Sequence, residues 1–225
     1  MADSAKKDNS TYWQKVRLRR SALAQLANPV VMETHGGFGK LYQACYSKLP
    51  NGIVFEKDSK RTDALALQRP TWAVYEGDCV AALAAGVGAH LEINLLDVDP
   101  YGEPWSAIAA FLNSDRPRAD VLHIVVNDGG RQSVQISGGW DKKVYQPLIE
   151  RFGNGLFRNY LEGCQILMHE KAAQAGYTLS RWHSYYCGHS KQMSHYWAVL
   201  ERSKSATVAD LPTSFYSSTS SNALN

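Results

Sequence analysis

Four carboxylates close successive apolar runs at a spacing of about 20 residues, the length of one βα unit. Glu33 lies in VVMET, Glu56 ends GIVFE, Asp78 ends WAVYEGD and Asp97 ends LEINLLD. A second aspartate, Asp99, follows at once within LLDVDPYGEP, Leu95 to Pro104. Carboxylates beside buried strands are costly unless something compensates them. One acidic strand end is readily a helix cap or a solvated loop; four around one crevice point to a ligand. The first carries ETHGGFGKL, where Gly36, Gly37 and Gly39 allow close backbone approach and a sharp turn. A dinucleotide fingerprint is excluded, because the third glycine position counted from Gly37 holds Tyr42. An acid just before the glycines suits a cationic ligand better than a pyrophosphate. Glu56 stands where a carboxylate accepts hydrogen bonds from ribose hydroxyls. Asp78 could accept from an adenine amino group, with the backbone at Cys79 nearby.

Such residues converge only if a sheet gathers them. VVMET, GIVFE, WAVYEGD, LEINLLD and ADVLHIVVN read as buried strands, and segments 39–48, 59–67, 79–85 and 104–114 read as helices between them. The alternation implies an α/β fold with a doubly wound, mostly parallel sheet. Residues 128–145, rich in glycine and polar side chains, read as a loop or lid. A helix around 156–175 ends at Gly176. YTLSRWHSYYC and SHYWAVLER then form an antiparallel hairpin at the C-terminal side.

The 225 residues suffice for one sizeable domain over 30–202, with an N-terminal extension over 1–29 and a flexible Ser/Thr-rich tail over 203–225. TYWQKVRLRRSALAQL is an amphipathic helix whose apolar positions are Trp13, Val16, Leu23 and Leu26, with Lys15, Arg17, Arg19 and Arg20 among them. It is either a solvated edge helix or one that faces phosphates. The net charge of +3 permits a nucleic-acid partner without requiring one. Four separated cysteines, no apolar leader and no membrane-length apolar run fit a cytoplasmic protein with reduced thiols.

ETHGGFG, FEKD and YEGD resemble the cofactor loop, ribose and adenine motifs of Rossmann-fold S-adenosylmethionine-dependent methyltransferases over roughly residues 30–202. The resemblance implies S-adenosyl-L-methionine as cofactor, held by Glu33, His35, Gly36, Gly37, Gly39, Glu56, Lys57, Asp78, Cys79 and Asp97. His35 stands where the family carries an aromatic residue or glycine. DVDPYGEP departs from the D/N-P-P-Y/F motif of base amino-methyltransferases, with Tyr101 in the second proline's place. It is closer to the D-x-D-P-F/Y-G-x-P segment of tRNA guanine-N2 dimethyltransferases, although their separate C-terminal domain has no counterpart here. The implied reaction is methyl transfer to an exocyclic amine of a base, in RNA (tRNA) rather than DNA. Asp99 and the Pro100 carbonyl would accept the amine N–H bonds, Tyr101 would stack on the base, and Asp97 would face the methionine ammonium. The two aspartates could exchange roles. A protein partner could complete substrate recognition.

Competing readings attach to the remaining chemistry. His183, Cys187, His189 and His195 are zinc-capable side chains, but their spacing matches no common structural pattern and strand alternation separates them. Cys79 and Cys187 invite a covalent pyrimidine mechanism, which instead requires a cysteine just after the fourth strand. A cofactor-binding subunit without transfer activity, or a methyltransferase for proteins or small molecules, are the alternative functions.

Overall fold

The computed structural model describes residues 11–137, 140 and 143–203. The expected lead over 1–10, and the tail beyond Ser203, lie outside the described residues. Seven strands make one sheet: β1 (Val31–Glu33), β2 (Gly52–Glu56), β3 (Ala73–Glu76), β4 (Ile93–Val98), β5 (Arg118–Asp128), β6 (Tyr177–Cys187) and β7 (Met193–Arg202). Their order is β3-β2-β1-β4-β5-β7-β6. The first five pair in parallel, and β7 lies antiparallel between β5 and β6. The sheet is therefore doubly wound α/β with a C-terminal antiparallel hairpin. Strand order reverses beside β1, between β2 and β4, so the crevice at their carboxyl ends is where such sheets bind ligands.

Both faces are covered, which is why the strands read as continuous apolar runs. Met32, Phe55, Leu96, Val98, Ile124 and Val126 pack against α3 (Cys79–Ala84), α4 (Trp105–Asn113) and α7 (Tyr160–Gln174). Val31, Val54, Leu95 and Val125 point the other way, toward α1 (Tyr12–Leu23), a π-helical turn (Tyr42–Tyr46) and α2 (Ser59–Gln68). Side-chain alternation puts Glu33, Glu56, Asp97 and Asp99 on this second face.

Three segments differ from the sequence reading. In α1 the buried side chains are Val16, Leu18, Arg19 and Ala22, whereas Trp13 is 69% exposed. The apolar stripe at Leu18 and Ala22 outweighs the tryptophan, because two charged neighbours find acidic partners below. The segment 128–145 is largely ordered as α5 (Gly130–Ser137) and a 3-10 turn (Lys143–Tyr145); residues 138, 139, 141 and 142 lie outside the description. A further helix, α6 (Gln146–Phe152), carries proline in its first turn, where the missing N–H costs nothing. Among the described residues no helix is long and apolar enough to cross a membrane.

Candidate active site at the strand ends

β1 and β4 run in register, so Glu33 lies directly beside Asp97. Two neighbouring carboxylates in an apolar layer demand cations, and the chain supplies two. Arg19 of α1 grips Asp97 through both Nε and Nη2, and the Tyr46 hydroxyl donates to Asp97 Oδ2 at 2.8 Å. Arg69, just beyond α2, pairs with Glu33 and lays its guanidinium over the Tyr42 ring at 4.2 Å. Arg19 and Asp97 are 0% and 2% exposed. Burial pushes the Glu33 carboxyl up to about 7, with Arg69 opposing. Arg19 thus supplies the cation that the sequence reading assigned to a ligand ammonium at Asp97, and Arg69 does so at Glu33.

The other acids stand nearer the mouth. Glu56 accepts the Gly37 N–H at 2.7 Å on Oε2 and the Lys57 and Asp58 N–H groups on Oε1, at 2.9 and 3.0 Å. Oε2 takes only one of these three donors, which leaves it a lone pair for a hydroxyl. Asp78 is exposed and caps α3, accepting from Val80 and Ala81 through Oδ1 at 3.0 and 3.1 Å. The Lys57 side chain is exposed, and Cys79 opens α3 in a buried position. His35 lies among these groups. Its Nδ1 is 2.8 Å from Thr34 Oγ1 and its Nε2 is 3.7 Å from Cys79 Sγ. Burial lowers its pKa, although Asp99, Glu56, Asp97 and Asp78 all pull it up.

The glycine loop is tied down by its own backbone. Gly36 N–H donates to Phe55 O at 2.8 Å and Gly39 N–H to Gly36 O at 3.1 Å. A Cβ on Gly36 would meet Leu65 Cδ1 at 2.5 Å and Val54 Cγ2 at 2.7 Å. Gly39 sits at φ +73°, a left-handed conformation that side chains resist. The loop therefore passes against β2 and α2 with no room to spare at Gly36 and Gly39.

Asp99 ends the acidic series. Lys15 of α1 donates to both of its oxygens, at 2.7 and 3.0 Å. Burial raises the Asp99 pKa, but Lys15 and Arg19 outweigh it and the net direction is down. Pro100 is half-buried, and Tyr101 is fully exposed at 101%. Beyond them Gly102 O accepts the Gly129 N–H at 3.0 Å, which fastens this segment to the end of β5. There the buried Asp128 accepts from Gly130 N–H at 2.7 Å, Tyr160 at 2.9 Å and Tyr196 at 3.1 Å, while the Tyr145 and Tyr160 hydroxyls stand 2.9 Å apart. Burial pushes Asp128 up to about 6 against these hydrogen bonds. A Cβ on Gly130 would sit 2.2 Å from the Tyr145 hydroxyl, so only glycine closes the knot.

The sequence reading thus gathers His35, the glycine loop, Glu56, Asp78, Asp99, Pro100 and Tyr101 at one edge, while Glu33 and Asp97 lie sealed below. It missed Lys15, Arg19, Tyr46, Arg69 and the Asp128 knot as parts of the site. The signal available for the first two was their i, i+4 spacing alongside Leu18 and Ala22. His195 is buried in β7, where burial and then Arg19 and Lys15 push its pKa down to about 3. His183 is exposed on β6, His189 occupies the hairpin turn, and Cys187 is a buried free thiol. Among the described residues no group of three or more His, Cys, Asp or Glu is placed to hold a metal ion.

No protein-family model and no curated protein sequence matches the chain. Solved structures do resemble it. Trm1 from Pyrococcus horikoshii, in complex with S-adenosyl-L-methionine, has a TM-score of 0.60 at 10% identity, over 87% of this chain and 56% of that one. This chain thus spans little more than half of that protein. N-methyltransferase NodS from Bradyrhizobium japonicum, in complex with S-adenosyl-L-homocysteine, gives 0.58 at 12% identity, over 88% and 90% of the two chains. TYW2 from M. jannaschii, in complex with AdoMet, gives 0.55 at 13% identity, over 88% and 79%. What the likeness identifies is the fold, the Rossmann-like sheet of S-adenosylmethionine-dependent methyltransferases.

Proposed function

We propose that the protein is an S-adenosylmethionine-dependent N-methyltransferase acting on an exocyclic amino group of a nucleic-acid base, with RNA, and tRNA in particular, preferred over DNA. The observation that carries this reading is the pairing of a glycine loop and acidic ends at β1–β3 with the Asp99-Pro100-Tyr101 segment beside them at β4. The residues present fit the cofactor: Gly37, at φ +55° with open space where a Cβ would stand, allows close approach of a ligand to the backbone, Glu56 Oε2 keeps a lone pair for a ribose hydroxyl, and Asp78 is exposed and able to receive an adenine amino group. When bound, the cofactor supplies an electrophilic methyl carbon on a sulfonium.

The chain's task is positioning. Asp99 and the Pro100 carbonyl accept the two amine N–H bonds and favour a more pyramidal, more nucleophilic nitrogen. Tyr101, wholly exposed, offers a face for the base, a contact worth about 1–3 kcal/mol. Lys15 Nζ holds the place on Asp99 that the target amine takes, so the lysine turns aside when substrate enters. Asp97 acts indirectly, by anchoring α1 through Arg19.

One observation favours a second reading. Asp97, Glu33 and Asp99 are all neutralised from within the chain, as expected of a cofactor-binding module that serves as a partner subunit without transfer. The two readings separate on transfer of radiolabelled methyl from S-adenosylmethionine into tRNA, ribosomal RNA, duplex DNA and protein, with Asp99→Ala beside the parent. Label in an RNA pool, lost in the variant, is the expected result. Cofactor binding without label in any pool would favour the second reading.

A further inference from the structure

The four cations of α1 divide between two faces. Lys15 and Arg19 turn inward to Asp99 and Asp97. Arg17 and Arg20 turn outward, exposed, and share one stripe with Trp13 and Ala24 because positions 13, 17, 20 and 24 recur at helical spacing. Trp13, Val16, Arg17, Arg20, Ser21 and Ala24 line a shallow groove of about 500 Å³. Residues 11–26 contain no acid, so nothing on the helix itself neutralises the stripe. Arg20 spends one donor on the Ala44 carbonyl at 3.0 Å, leaving guanidinium donors available.

The edge strand extends the same surface. Tyr185 of β6 donates to the Gln14 carbonyl at 3.2 Å, and Arg181 donates to Gln25 Oε1 at 3.0 Å, so β6 runs beside α1 along its length. Arg181 and His183 are exposed there. One end of the stripe lies at the mouth of the crevice: Tyr12 donates to Lys40 O in the glycine-loop region, and Lys15 reaches Asp99. Arg17 and Arg20 are about 4.5 Å apart along the axis, and Trp13 to Arg20 spans about 10 Å.

We propose that the outer face of α1, with Trp13, Arg17 and Arg20 flanked by Arg181 of β6, is a nucleic-acid docking surface that binds the phosphate backbone and leads it to the strand-end mouth. The occupant follows from charge complementarity: a run of cations without a local acid, ending in an exposed indole, matches a polyanion with stackable bases. The proposal extends the reading of the function to a particular surface, yet it stands or falls on binding alone.

The test is the salt dependence of binding, by fluorescence anisotropy, of a labelled 20-nucleotide single-stranded RNA and a 20-base-pair DNA duplex. Each phosphate contact adds about 0.7 to the slope of log K against log salt for single strands and about 0.9 for duplex. R17A/R20A should lower the slope by about 1.4 on RNA or about 1.8 on duplex, and R17A alone by about half as much. K143A/R151A, which removes the same charge from the opposite side of the sheet, should leave it unchanged. An unchanged slope in both R17A and R17A/R20A, with the parent's melting temperature retained, would overturn the proposal. So would binding to phosphatidylserine vesicles that depends on Arg17 and Arg20 while RNA and DNA binding does not. Methyl transfer is scored separately: loss of slope in a protein that transfers no methyl supports this surface and refutes the catalytic reading, and transfer with no slope change does the reverse.

Discussion

Replacing Asp128 with asparagine tests whether burial, rather than its hydrogen bonds, governs that carboxyl. Asp128 is fully buried and held by Gly130, Tyr160, Tyr196 and Cys164. Its pKa nevertheless rises from 3.8 to about 6. A carboxyl with a raised folded pKa keeps its proton longer in the fold than in the unfolded chain. Its contribution is therefore full below pH 3.8, and is lost as pH climbs through about 6. The gap is roughly two pH units at about 1.4 kcal/mol each, so ionisation costs the fold about 3 kcal/mol. Asparagine keeps a carbonyl for the Gly130 N–H and offers an amide that a tyrosine hydroxyl can accept from. At about 2–4 °C per kcal/mol for a chain of this size, the variant should gain roughly 6–12 °C relative to the parent between pH 4 and pH 7. Thermal unfolding followed by circular dichroism at half-unit pH steps measures the difference, and shared acid effects cancel in it. A parent-minus-variant difference that stays flat across that range refutes the reasoning.

Three further outcomes follow from the strand-end geometry. Arg19→Met should cost about 3–5 kcal/mol in urea denaturation, because it leaves Asp97 buried without its cation, and adding Asp97→Asn should restore part of the loss. Gly36→Ala forces a Cβ against Val54, a rigid β-branched side chain, and should cost about 1–3 kcal/mol while weakening S-adenosylmethionine binding by calorimetry. Lys15→Met removes the foremost group holding Asp99 down in the free protein, so the acid limb of kcat/KM for methyl transfer should move to higher pH; an unmoved limb would separate Asp99 from catalysis.

The sheet was legible because burial on both faces writes β1, β2, β4 and β5 as apolar runs that end in polar groups. The hairpin was legible for a similar reason, since β-rich runs at 177–187 and 194–202 flank a short polar turn. The direction of α1 was not. Charged residues are almost never fully buried, so Arg19 counted as surface and Trp13 as core, and only the acids on distant β4 reverse that assignment. The segment 128–145 read as a loop because glycine at 129 and 130 masks a helix start. Those glycines are needed for a different reason, the tyrosine hydroxyls packed against Gly130. Likewise the pairing of Glu33 with Arg69 joins residues 36 apart, a distance over which local pattern carries no information.

The docking of α1 on the hairpin sets an order of events during synthesis. Tyr185 and Gln14 are 171 residues apart, and Arg181 and Gln25 are 156 apart. At about 5–20 residues per second, the helix waits on the order of ten seconds or more for the strands it lies against. Until then the helix has only its partners from earlier in the chain, Asp97 and Asp99, to hold Arg19 and Lys15. The two charge pairs join residues 84 and 78 apart, roughly half the separation of the hairpin contacts. The hairpin then adds the Tyr185 and Arg181 contacts that fix the helix across the sheet.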